Sequence, residues 1–306
     1  MKRCLLLLLI LPAIISTNQV LAQQDVTGTK YHFLAAGWNG STWLIAGMMV
    51  PDRVAFMATY DGEEFAPIAP PARELWIEKI SWNGSEWIIK EKVKVRGSKK
   101  RVYAYNGREF RVVGTWEKRE VEVYKECGEG YCLVWNRSAQ RLLSCATGEC
   151  RDVTLKSGIQ VPHEEVTLMR WNGEYWLIAI ASSEGGGVLR YDGKNFARVR
   201  MPTPTAPAAM EWNGEYWLIG TAANPRFSGV LVTYDGYAVR DLTPDLLRWV
   251  VGKGASMLEK SQAEKKERPE ENLTEQEVPE PAKRVCGPGA VLLLIAVPLL
   301  LRRLKI

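Results

Sequence analysis

One self-similar unit recurs along most of this 306-residue chain. An aromatic residue, Asn-Gly, two variable residues and an aromatic-apolar pair occur at Trp38–Ile45, Trp82–Ile89, Trp171–Ile178 and Trp212–Ile219. A second half, Tyr-(Asp/Asn)-Gly-x-x-Phe, follows each time at Tyr60–Phe65, Tyr105–Phe110 and Tyr191–Phe196. Its last version, Tyr234–Val239, ends in valine. With Cys127 counted as a copy, the steps between first halves are 44, 45, 44 and 41 residues, which makes five units. A fixed period of this length must be read before any local propensity, because it dictates the architecture.

Each half reads as a β-hairpin. Asn-Gly and Asp-Gly tolerate the positive φ of a tight reversal, and the flanks carry the aromatic and β-branched residues that strands favour. Two hairpins per unit give four strands per ~44 residues, the signature of propeller blades. The expected fold is all-β: a five-bladed β-propeller of four-stranded antiparallel blades over residues 23–254. A six-bladed ring using Leu246–Gly254 as a degenerate unit is the alternative, and an open β-array ranks below it. The repeats resemble propeller units of archaeal surface proteins. That resemblance bears on fold and is nearly silent on function.

The third unit departs from the pattern. Cys127 and Cys132 stand where the other units have their two tryptophans, and Cys145 and Cys150 replace the tyrosine and phenylalanine. Positions i and i+5 across a four-residue turn face each other. Facing Cα atoms in a non-hydrogen-bonded pair lie ~4.5 Å apart, within disulfide range. Bridges 127–132 and 145–150 are therefore favoured among the three possible pairings. A zinc site built from the four sulfurs is the alternative, with a C-x4-C spacing that is loose for it.

The two ends carry targeting chemistry. Residues 1–22 have Lys2 and Arg3, an apolar run from Leu5 to Ile15 and a small residue at a cut site, as in a secretory signal. Residues 255–285 are charged, proline-containing and free of aromatics. They read as a disordered stalk, with an accessible N-x-S/T site at Asn272. Residues 286–306 begin Cys-Gly-Pro-Gly, continue with a short apolar run and end in basic residues. This tail resembles the CGP-CTERM sorting tails of surface proteins from hyperthermophilic archaea. The resemblance implies that Cys286 is a lipid-modified anchor point beyond which the tail is removed; a plain membrane helix is the alternative. Lys2, Arg3, Arg302, Arg303 and Lys305 account for the formal +5. The body is near neutral, and a basic pI is no argument for nucleic acid.

Function is expected on the ring face opposite the Asn-Gly and Asp-Gly turns, where connections vary in length and chemistry. The candidate ligand residues there are Arg73, Arg96, Lys99, Lys100, His163, Glu164, Glu165 and Arg226. Lys90, Lys92, Lys94 and Arg96 alternate as on one strand face. They read as lysine protection of an outer edge strand ahead of a polyanion site. The recurring tryptophans read as blade packing ahead of sugar stacking, and Asp61, Asp192 and Asp235 as turn residues ahead of acids or bases. Ser182–Gly187 reads as a hairpin loop. Asn39, Asn83 and Asn136 also head N-x-S sequences, but two of them are turn residues first. With two histidines, no multi-His metal site is possible, and no cofactor is expected. The leading expectation is a membrane-anchored, extracytoplasmic, non-catalytic module that binds an envelope protein or glycan. An extracytoplasmic carbohydrate-active enzyme and a scaffold or sensor subunit are the other readings.

Overall fold

The computed structural model describes residues 28–92, 98–117, 123–128 and 130–249. The leader, the stalk with Asn272, the tail from Cys286, and Lys94 and Arg96 lie outside the described residues. Among those described, twenty strands form five antiparallel meanders of four.

Blade 1 comprises β1 (Lys30–Trp38), β2 (Trp43–Val50), β3 (Val54–Tyr60) and β4 (Phe65–Ile68). Blade 2 comprises β5 (Ile77–Trp82), β6 (Trp87–Glu91), β7 (Lys100–Tyr105) and β8 (Phe110–Trp116). Blade 3 has β9 (Val123–Cys127), β10 (Tyr131–Asn136), β11 (Arg141–Ala146) and β12 (Glu149–Asp152), followed by a one-turn helix α1 (Thr154–Ser157). Blade 4 has β13 (Glu164–Trp171), β14 (Trp176–Ser182), β15 (Gly185–Tyr191) and β16 (Phe196–Val199). Blade 5 has β17 (Pro207–Trp212), β18 (Trp217–Thr221), β19 (Leu231–Tyr234) and β20 (Val239–Asp241), and α2 (Thr243–Trp249) closes the described chain. The innermost strands are β1, β5, β9, β13 and β17; β1 packs against both β5 and β17, and β13 against both β9 and β17. The fold is a five-bladed β-propeller.

The turns explain the repeat. Asn39 Oδ1 accepts the backbone N–H groups of Ser41 and Thr42 at 2.9 and 2.7 Å. Asn83, Asn172 and Asn213 do the same for their own loops. Gly40 follows at φ 101°, which a residue with a Cβ rarely adopts. The second hairpin uses Asp61, Asp192 and Asp235 in the same way. These carboxyls accept two backbone N–H groups each, which lowers their pKa values. They are turn locks, not proton carriers.

Each turn sets the register of the next strand. In blade 1, Trp38, Trp43, Tyr60 and Phe65 fall in one row across all four strands. The Tyr–Phe members stack with centroids 4.4, 4.3 and 4.1 Å apart in blades 1, 2 and 4. In blade 3 the same row is Cys127, Cys132, Cys145 and Cys150. The bridges are Cys127–Cys132 and Cys145–Cys150, each with Cα atoms 4.0 Å apart. The aromatic row is thus replaced by a covalent one, and the sulfurs are bonded to each other instead of being held as zinc ligands.

Packing between blades makes the ring. Among the described residues, four buried clusters each join two neighbours: blades 5 and 1, 1 and 2, 3 and 4, and 4 and 5. A recurrent latch accompanies two of them. The tyrosine ahead of the second tryptophan reaches the next blade, where its hydroxyl accepts an indole N–H. Trp217 Nε1 donates to Tyr175 Oη and Trp43 Nε1 to Tyr216 Oη, both at 3.1 Å. Blade 1 has the shorter Thr42 at that position, and Trp87 Nε1 is left without a partner among the described residues. Blade 2 has Glu86, which pairs with Arg111 of its own blade, and blade 3 presents Cys132 instead of a tryptophan. Among the described residues, no buried apolar cluster joins blades 2 and 3.

Two expectations are corrected here. Leu246 and the residues up to Trp249 do not begin a sixth blade. They belong to α2, whose Leu246 is buried in the cluster joining blades 5 and 1. This helix of seven residues, about two turns, packs at the junction between blades 5 and 1. Lys90, the first residue of the lysine run, is not on an edge strand either. β6 ends at Glu91 and lies between β5 and β7, so its backbone groups are paired on both sides. Lys90 instead covers the Trp116 ring, 5.2 Å from its centroid. The Ser182–Gly187 stretch is a tight hairpin, with Ser182 opposite Gly185. No helix among the described residues is long and apolar enough to cross a membrane.

The latch makes a stability prediction. Tyr216→Phe leaves the buried Trp43 N–H unsatisfied and should cost about 1–2 kcal/mol. Chemical denaturation should show a lower midpoint with an unchanged slope.

Candidate functional site

The inner strands converge on one channel. The residue immediately before the first aromatic of each unit is Gly37, Ser81, Glu126, Arg170 or Glu211, one from each of β1, β5, β9, β13 and β17. All five line a cavity of about 470 Å³, together with Lys79, Ile80 and the indoles of Trp38, Trp82 and Trp212. These three tryptophans directly precede Asn39, Asn83 and Asn213, so the cavity lies at the turn end of the channel. Each is half-buried, whereas its hairpin partner Trp43, Trp87 or Trp217 is buried. The first tryptophan therefore packs on the second and still presents surface to the cavity, with centroids 5.1, 4.9 and 5.3 Å apart.

The polar lining holds two cations and two carboxylates. Arg170 Nη2 lies 3.4 Å from Glu211 Oε1, and its Nη1 donates to the carbonyl of Met169 at 3.0 Å. Burial pushes the Glu211 carboxyl above the ordinary glutamate range, and Glu126 adds to the rise; Arg170 and Lys79 oppose it. Desolvation outweighs the cations at this site. Gly37 keeps the wall tight: a Cβ there would stand 2.6 Å from Ile80 Cγ2 and 3.2 Å from its backbone.

The candidate residues of the opposite face are spread over several loops. Arg73 lies exposed in the link from β4 to β5, where its carbonyl accepts the Ala55 N–H at 2.7 Å. Lys99 is exposed and Lys100 half-buried at the start of β7. His163 is exposed, and its backbone N–H donates to Gln160 O at 2.8 Å. Glu164 pairs with Arg198 at 3.5 Å and Glu165 with Arg137. Arg226 is exposed in a turn whose backbone is held by Asn224 Oδ1. Among the described residues, no group of three or more His, Cys, Asp and Glu side chains is placed to hold a metal ion.

The channel position was legible in principle. Within a strongly repeated motif it varies as Gly, Ser, Glu, Arg and Glu, and variation inside a repeat marks a place that packing does not dictate. Reading each unit from its aromatic onward passes over it.

No family model matches the chain, and no curated protein sequence matches it. Solved structures are similar in fold. YCF48 bound to D1 peptide is 11% identical, over 69% of this chain and 67% of that one, with a TM-score of 0.30. The β-propeller domain of the Trilobed protease from Pyrococcus furiosus is 12% identical, over 69% and 68%, with a TM-score of 0.29. The Pyrococcus horikoshii acylaminoacyl peptidase is 12% identical, over 72% of this chain and 40% of that one, with a TM-score of 0.32. This chain thus spans well under half of that peptidase.

Glu211 yields a pH prediction. Its folded pKa is raised above 4.5, so the folded state holds this proton more tightly than the unfolded chain does. The stabilisation is full below the unfolded value and is lost as pH rises through the folded one. Glu211→Gln should therefore gain stability over the wild type between about pH 4 and about pH 8, as read by urea denaturation at both. A constant difference would show that Arg170 and Lys79 compensate the burial fully.

Proposed function

We propose that this chain is an extracytoplasmic, membrane-anchored binding module without catalysis, which holds a protein or glycan at the turn-side mouth of its channel. The observation that carries this reading is the cavity lining. Three half-buried indoles surround two carboxylates and two cations. Indole faces receive the apolar face of a sugar ring or a side chain, and the charged groups supply directional hydrogen bonds to hydroxyls, amides or ions. The two cross-strand disulfides accord with an oxidising, external setting. The anchor reading rests on Cys286 and the tail that follows it.

A second reading has one specific observation in its favour. Glu126 and Glu211 share the cavity, and Glu211 is held above the ordinary carboxylate range. A pair of carboxyl groups, one of them raised by burial, is what a carbohydrate-active enzyme uses as acid and base.

Full-length protein presented to glycan arrays and cell-envelope extracts should retain a ligand. The double variant Trp38→Ala, Trp212→Ala should weaken that retention by about tenfold or more while keeping a cooperative thermal transition. Absence of enrichment, together with polysaccharide turnover that Glu211→Gln abolishes, would replace the binding reading with the enzymatic one. For the anchor, mass spectrometry of membrane-extracted protein should find a modified Cys286 and nothing beyond it. An intact C-terminus at Ile306 would refute the anchor alone.

A further inference from the structure

The cysteine row of blade 3 does more than replace two aromatic pairs. Cys132 lies opposite Cys127 on one side and opposite Cys145 on the other, and Cys145 lies opposite Cys150. Gly128 N donates to Tyr131 O at 3.0 Å, which makes Cys127–Cys132 the adjoining non-hydrogen-bonded pair. Ladder bonds alternate sides along a strand, so Cys132 and Cys145 form a hydrogen-bonded pair with Cα atoms ~5.5 Å apart. That separation is among the commonest for a disulfide. Each inner cysteine therefore has two bonding partners within reach, one on each side.

Access is provided as well. Cys127 and Cys150 are exposed, and Cys132, Cys145 and Cys150 line an open groove of about 490 Å³. The groove lies on the blade face where, among the described residues, no apolar cluster reaches blade 2. Lys125 lines it too, two residues before Cys127 on the same strand face. An ammonium there favours the thiolate form of a released sulfur.

We propose that this row is a thiol–disulfide exchange site that accepts one electron pair from a dithiol and stores it as a shifted bridge. A thiolate of the dithiol attacks Cys127 Sγ, and Cys132 leaves as a thiolate. The second thiol of the reductant resolves the mixed disulfide, releasing Cys127 as a thiol and departing as a cyclic disulfide. Cys132 then attacks Cys145 Sγ. The 132–145 bond forms, the 145–150 bond breaks, and Cys150 leaves as a thiolate. Entry at Cys150 runs the same steps in mirror order and ends at the same product. Two electrons and two protons have entered, one bridge remains, and two thiols stand at the ends of the row. Those ends are three strand spacings apart, ~14 Å, beyond the span of a disulfide. They cannot close on each other and remain available for mixed disulfides with an incoming thiol.

The test uses the full chain, limiting dithiothreitol, alkylation with iodoacetamide and peptide mapping. The two-electron form should carry label on Cys127 and Cys150 and a bridge between Cys132 and Cys145, in about tenfold excess over other isomers. Label confined to Cys127 with Cys132, or to Cys145 with Cys150, would overturn the proposal. A Cys127→Ser, Cys150→Ser variant provides an independent measurement. Thiol titration after air oxidation should find none of its body thiols free if the inner pair bonds, and both free if the proposal is wrong.

Discussion

Burial between neighbouring blades is the constraint on which the rest of this structure depends. Each of the four large apolar clusters is shared by two blades. A lone four-stranded sheet would leave Trp43, Trp176 or Trp217 in water, yet all three are fully buried in the ring. At ~25 cal/mol per Å² of apolar surface removed from water, each such side chain draws its stabilisation from the next sheet. Ring closure is then the way to leave no sheet face unpartnered.

The junction between blades 2 and 3 shows what happens when that constraint is relaxed. Neither half of the tyrosine–tryptophan latch is present there, since Glu86 turns to Arg111 and Cys132 stands in the receiving place. An aromatic cross-strand pair gains up to ~1.5 kcal/mol beyond burial only if its rings are covered. A disulfide closing a short loop contributes ~2 kcal/mol by restricting the unfolded chain, and needs no neighbour to do so. Covalent pairs therefore suit a sheet face over which, among the described residues, no shared apolar core lies. The same openness leaves the sulfurs reachable from solvent.

The channel follows from the same geometry. Once the row of aromatics faces the preceding blade, the residue before it stands at the axis. There it meets its counterparts from the other four blades. Packing asks little of that position apart from Gly37, which must admit Ile80. Charge could accumulate at the others, and Arg170 and Glu211 answer each other across two blades. The turn-side mouth thus combines a rigid wall with residues free to differ.

Period, turn chemistry and pairing were legible along the chain because they are local. Asn-Gly and Asp-Gly carry their own hydrogen bonds, and a four-residue loop places i opposite i+5 wherever it occurs. Four-stranded units and the favoured pairing of the cysteines could therefore be read from the sequence, whereas five blades against six could not. Whether Leu246 continued a strand or capped the ring depended on its place beside blades 5 and 1, and so did the interior position of β6. The meeting of Glu126, Arg170 and Glu211 was equally hidden. They are 44 and 41 residues apart in sequence, and only closure brings such positions together. The chain alone determined what each blade is; the ring decided which residues face one another, because that choice is made by burial between sheets and not within them.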